Sequence, residues 1–152
     1  MAIRTILNES DEILYKKSRP VEAFDERLWT LLDDMAETMK SVSGVGLAAV
    51  QVGVLRRAVT IDVGEGVIEL INPEIIAKKG KQEASEGCLS CPGQYGITKR
   101  PNFVRVKAQD RNGVVFSVKG EELLARALCH EIDHLDGIMF KQHVIRWQED
   151  EE

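Results

Sequence analysis

The sequence predicts an α+β fold in which small, mostly antiparallel sheets pack around a central buried helix that carries H-E-x-x-H, with a second long helix in the N-terminal half. Three observations carry this reading. Apolar residues recur every three or four positions between Asp25 and Ser43, short segments rich in β-branched residues and separated by Gly, Pro or Asn fill the middle of the chain, and a helical period returns between about Glu121 and Asp136.

In the first helix Leu28, Leu31, Met35, Met39 and Val42 make one stripe. Asp25 suits the N-cap, Phe24 and Trp29 are spaced as a hydrophobic staple, and Gly44 is the expected stop. The strands are expected at Ala58 to Val63, Val67 to Ile71, Ile75 to Lys81, Phe103 to Ala108 and Val114 to Val118. Asp110 to Gly113, which contains Asn112-Gly113, should join the last two into a hairpin. Turning the later helix by about 100° per residue separates three faces. Leu124, Leu128, Ile132 and Leu135 are apolar, Glu122, Arg126, Asp133 and Asp136 are polar, and His130 and His134 share the third with Leu123 and Ala127. Both histidines therefore lie on a largely apolar surface that should be buried.

At 152 residues, 43% hydrophobic and 30% charged, the chain suits one domain over its whole length, with a solvated acidic tail from about 147 to 152. A net charge of -5 argues against a partner gripped through its phosphates, so no DNA is expected. Met1 to Asn8 lack a secretory apolar core, and no apolar run approaches the roughly 20 residues that cross a bilayer. A cytoplasmic, membrane-free protein is expected. Three cysteines without an export signal direct attention to metal or thiol chemistry rather than to disulfides.

His130, Glu131 and His134 form H-E-x-x-H, whose four-residue spacing lets both imidazoles grip one ion while Glu131 reaches its water. A catalytic site needs a third protein ligand. In the extended zinc-protease pattern Gly137 fits, but Phe140 stands in the place of the third histidine, and His143 reads as a surface residue. Cys88, in Glu86-Gly87-Cys88-Leu89-Ser90, is the better candidate, on a Gly-containing turn before Pro92. Cys91 leaves a second arrangement open, because Cys88, Cys91, His130 and His134 could close a four-ligand structural zinc site. Cys129 points off the histidine face and reads as structural. Gly44 to Gln51 offers two glycines that allow close approach of a ligand and an amide donor at Gln51.

These segments, in this order, resemble the peptide deformylase family from about Ile6 to Phe140. The family's G-x-G-L-A-A-x-Q is matched by Gly44 to Gln51, its E-G-C-L-S by Glu86 to Ser90 and its H-E-x-D-H by His130 to His134, with Pro92-Gly93 and Arg100-Pro101 in their usual places. The resemblance implies that Cys88, His130 and His134 ligate the metal, that Glu131 is the acid/base, and that the Gln51 side chain and the Leu89 N–H hold the oxyanion. The implied reaction is removal of formyl from the N-terminal formylmethionine of newly made polypeptides, with water on the ion as nucleophile and formate as product. The implied cofactor is one divalent ion, Fe2+ expected and Zn2+, Ni2+ or Co2+ accepted.

Leu123, Ala127 and Val45 are nominated to line the methionine pocket, and Gly46 to meet the substrate backbone. Arg100 has two readings, a brace to Glu86 or Asp133, or no role. Three features depart from the family's usual pattern. Cys91 replaces a simple aliphatic residue, and Tyr95 stands where some members have an arginine near the substrate's outer residues. Some members also continue into a basic helix that docks on the ribosome, where this sequence has four acids after Gln148, so docking by that route is not expected. Two readings compete with the enzyme: a binding module with the closed zinc site, and a peptidase of the H-E-x-x-H type.

Overall fold

A computed structural model describes residues 2–148. Its first regular element is a 3-10 turn, Glu12–Tyr15, after which comes α1, Glu26–Ser41. The Asp25 side chain caps α1 by accepting from Leu28 N–H, as the sequence suggests. The stop differs by one residue. Ser43 takes the left-handed conformation, φ 54°, its N–H donates to Lys40 O, and Gly44 N–H donates to Met39 O. This is a Schellman closure with serine at the position glycine favours. Gly44 instead gives room to Leu89, whose Cδ1 a Cβ there would meet at 2.8 Å and displace.

Among the described residues eight strands follow one another as β1 (Gly46–Ala48), β2 (Ala58–Ile61), β3 (Ile68–Lys79), β4 (Gln82–Cys88), β5 (Cys91–Arg100), β6 (Phe103–Gln109), β7 (Val115–Glu121) and β8 (Val144–Trp147). They form a five-stranded sheet, β1-β2-β3-β6-β7, and a three-stranded sheet, β4-β5-β8, with every pairing antiparallel. The expected α+β class with small antiparallel sheets is therefore correct. The β6–β7 hairpin turns where Asn112-Gly113 places it, with Gly113 at φ 83° and Gly113 N–H donating to Asp110 O.

Two expected strands, Val67 to Ile71 and Ile75 to Lys81, are one. β3 passes through Asn72-Pro73 by shifting register between Ile71 and Glu74, which lets the chain keep its pairing with β6 although proline donates no hydrogen bond. Residue alternation then explains the core. Along β2 and β3, Val59, Ile61 and Leu70 face one cluster, shared with Leu128, Ile132 and Leu135, while Ala58 and Ile71 face another, shared with Leu28, Leu32, Met35 and Met39. The large sheet is thus buried on both faces, one against α1 and the other against the second helix.

That second helix, α2, runs Leu123–Leu135 rather than from Glu121, which is still in β7. Glu122, at φ 53°, makes the corner. The helix ends in a second Schellman closure, Ile138 N–H to Asp133 O and Gly137 N–H to His134 O, with Gly137 at φ 74°. It contacts β1, β2, β6 and β7 of the large sheet and β5 of the small one, which makes it the central buried helix expected. Trp147 closes β8 and Gln148 N–H donates to Tyr95 O, while Glu149, Asp150, Glu151 and Glu152 of the expected tail lie outside the described residues. No helix among the described residues is long and apolar enough to cross a membrane.

Candidate metal centre

Cys88 ends β4, Leu89 and Ser90 form a two-residue turn, and Cys91 begins β5 opposite Cys88. The turn carries the Cys88 thiol to α2, where His130 and His134 stack one turn apart. His134 Nε2 lies 3.4 Å from Cys88 Sγ and 3.2 Å from His130 Nε2, and the three ligand atoms fall within 4.8 Å of one another. A tetrahedral ion with nitrogen at about 2.1 Å and sulfur at about 2.3 Å keeps neighbouring ligand atoms roughly 3.3–3.6 Å apart. The two closest separations come within about 0.2 Å of that spacing, and a thiol with two imidazoles suits a single divalent ion by chemistry. Cys91 does not join this cluster; it is buried in the core at 1% exposure.

Surrounding groups orient the three candidate ligands. His130 Nδ1–H donates to Glu86 Oε2 at 2.7 Å, which fixes the ring's orientation with Nε2 facing His134 Nε2. Glu86 also accepts from Thr98 Oγ1 at 2.8 Å and from Arg100 Nε and Nη2 at 3.1 and 2.7 Å. Burial works against the Glu86 charge, but the bonds from His130 and Arg100 overcome it and hold the carboxyl at about 2. Arg100 continues to Asp133 Oδ2 at 2.7 Å, so it braces both partners that the sequence offered as alternatives. Burial and the neighbouring His130 hold His134 neutral. A hydrogen bond with Cys91, burial and the Glu131 charge push the Cys88 thiol well above its ordinary range; a cation at the cluster opposes all three, because coordination holds sulfur as thiolate.

Glu131 is buried beside His130, with Oε2 3.9 Å from His130 Nε2. Burial, opposed by the His130 charge, raises its carboxyl to about 7. Gly46 makes room for it, since a Cβ at position 46 would lie 2.5 Å from Glu131 Oε2. Gln51 sits on the 3-10 turn Ala49–Val52, where Ala48 N–H donates to its Oε1 at 3.0 Å. That bond orients Nε2 toward Ser90 Oγ at 3.1 Å and Cys88 Sγ at 3.7 Å. Phe140 occupies no ligand position; its ring stacks on His130 with centroids 6.1 Å apart. His143 lies away from the trio, 3.0 Å from Asp133 Oδ2.

A cavity of about 330 Å³ opens at the trio and is lined by Val45, Gly46, Leu89, Leu123, Ala127 and Glu131, among others. Arg126 also lines it, although helical bookkeeping assigned it to the polar face. At about 40° from His130 around the helix, it flanks the ligand face closely enough for a long side chain to cross the border.

A family model described as Polypeptide deformylase matches residues 3–150. The chain belongs to the peptide deformylase family. The peptide deformylase of Acetivibrio thermocellus is 59% identical over 152 residues, which cover 100% of this chain and 89% of that protein. The crystal structure of a peptide deformylase from Legionella pneumophila superposes with a TM-score of 0.91 at 49% identity, covering 94% of this chain and 86% of that one. That of peptide deformylase from Ehrlichia chaffeensis in complex with actinonin gives 0.92 at 39% identity, covering 95% and 90%. Like other peptide deformylases, this chain is a metal-dependent hydrolase that removes the N-formyl group from new polypeptides.

Proposed function

We propose that residues 1–152 act as one catalytic domain in which Cys88, His130 and His134 hold the divalent ion, Glu131 is the acid/base, and Gln51 and the Leu89 N–H stabilise the oxyanion. The convergence of the three ligand atoms beside a buried carboxyl, at the mouth of a partly apolar cavity, carries this reading. We take Fe2+ as the resident ion, with Zn2+, Ni2+ or Co2+ as substitutes that the same thiolate and imidazoles accept. When bound, the ion supplies Lewis acidity and acidifies its solvent.

The protein's own groups do the rest. Val45, Leu123 and Ala127 receive the methionine side chain and Gly46 lets the formylated backbone approach. Glu131, buried beside the trio, takes a proton from the attacking water and returns it to the amine as the C–N bond breaks. Gln51 Nε2, oriented by the Ala48 bond, exchanges its long sulfur contact for the developing oxyanion. The substrate is the formylmethionine end of a nascent chain, met in the cytoplasm. The described residues after α2 form a 3-10 turn and β8 rather than a basic helix, so a ribosome-docking helix is not part of the proposal.

The test is formate release from a formyl-Met peptide by anaerobically prepared, Fe2+-loaded protein. Release is expected, and Glu131→Gln should keep the metal while losing on the order of 10²–10⁴ in kcat. Absence of release from a fully loaded preparation would overturn the assignment.

A further inference from the structure

The cleft that starts at the metal trio has two walls, β4 and α2. They are tied together near the trio by the bond from His130 to Glu86, and again farther out, where Arg126 Nη1 donates to Gln82 Oε1 at 3.0 Å. Ser85, Gly87, Leu123 and Ala127 line the same cleft beside Arg126. Arg126 precedes His130 by one helical turn, roughly 6 Å of helix, a length comparable to the four-atom side chain of methionine.

The outer tie is built rather than incidental. Gln82 Nε2 donates to the carbonyls of Glu122 at 2.8 Å and Pro101 at 3.1 Å, so the amide is anchored to the corner before α2 and to the β5–β6 turn. Those two bonds leave Oε1 aimed at Arg126. The guanidinium is thereby held across the cleft, although no carboxylate pairs with it among the described residues.

We propose that Arg126 is the end wall of the side-chain pocket and fixes the length of the first residue accepted, with Gln82 as the positioning residue that holds it there. This inference rests on the deformylase assignment above. A wall at this distance admits an unbranched thioether and rejects a side chain one methylene longer. If the wall is released, Arg126 can swing out and the cleft lengthens along β4.

The experiment compares kcat/KM for formyl-Met and formyl-ethionine peptides, which differ by one methylene, in the native enzyme, Arg126→Ala and Gln82→Ala. The ratio between two substrates does not depend on the fraction of enzyme folded or metal-loaded, so a merely structural defect leaves it unmoved. The native enzyme should disfavour ethionine by about tenfold, and both variants should recover most of that factor, chiefly through KM. An unchanged ratio in either variant overturns the proposal. Formate release from neither peptide by the native enzyme overturns both this inference and the assignment beneath it, whereas release from both with equal kcat/KM overturns the inference alone.

Discussion

A methyl group at position 46 is the smallest change that reaches the proposed chemistry. It would lie 2.5 Å from Glu131 Oε2, closer than non-bonded atoms tolerate, and the buried carboxyl has little room to retreat. Gly46→Ala should therefore lower kcat by about a hundredfold, the order expected for an ångström of misplacement, with metal content unchanged. Steady-state rates beside metal analysis check this, and a kcat within twofold of native would sink it. Position 43 works in the opposite direction. Ser43 holds φ 54° at the end of α1 without the freedom of glycine, so Ser43→Gly should raise unfolding free energy by about 1 kcal/mol, read as a higher urea midpoint at unchanged slope.

Among elements, the buried chain of Thr98, Glu86, Arg100 and Asp133 joins β4, β5 and α2. Removing one charge strands the others in low dielectric. Arg100→Met should cost about 3–5 kcal/mol in urea unfolding, and the double variant with Glu86→Gln should recover part of it, because less unpaired charge then stays buried. Equal or greater loss in the double variant would contradict this account. The same network shows what could be read in advance. The helices and the Asn112-Gly113 hairpin were legible because period and turn chemistry are local, and the ligand trio because histidine spacing and the Cys88 turn are short motifs. β4 and β5 were not. Gln82-Glu83-Ala84-Ser85-Glu86-Gly87-Cys88 lacks the branched residues of a typical strand, and it is extended because it pairs with β5 and points Glu86 into a polar interior. Arg126 escaped for a similar reason: helical angles give its direction, but only β4 supplies the partner that draws it across the cleft.

At the scale of the molecule, the proposed ligands come from both sheet systems. Cys88 ends a strand of the three-stranded sheet, whereas His130 and His134 ride on a helix seated against the five-stranded one. An ion shared by them cross-links the two halves, and because the unfolded chain offers no such preformed site, binding must raise stability. At an ion concentration 100-fold above Kd the gain is about 2.7 kcal/mol, which for a chain of this size raises Tm by roughly 5–10 °C over chelator-treated protein. Calorimetry on stripped and anaerobically reloaded samples measures it. Cysteine variants give the measurement its resolving power. Cys91→Ser should keep the metal-dependent rise, although a hydroxyl at a site only 1% exposed lowers the baseline, while Cys88→Ser should largely abolish it. The opposite pattern, with the rise lost at Cys91 and kept at Cys88, would mean that the thiol beside the two imidazoles is not the ligand and that the cleft has been assigned the wrong sulfur.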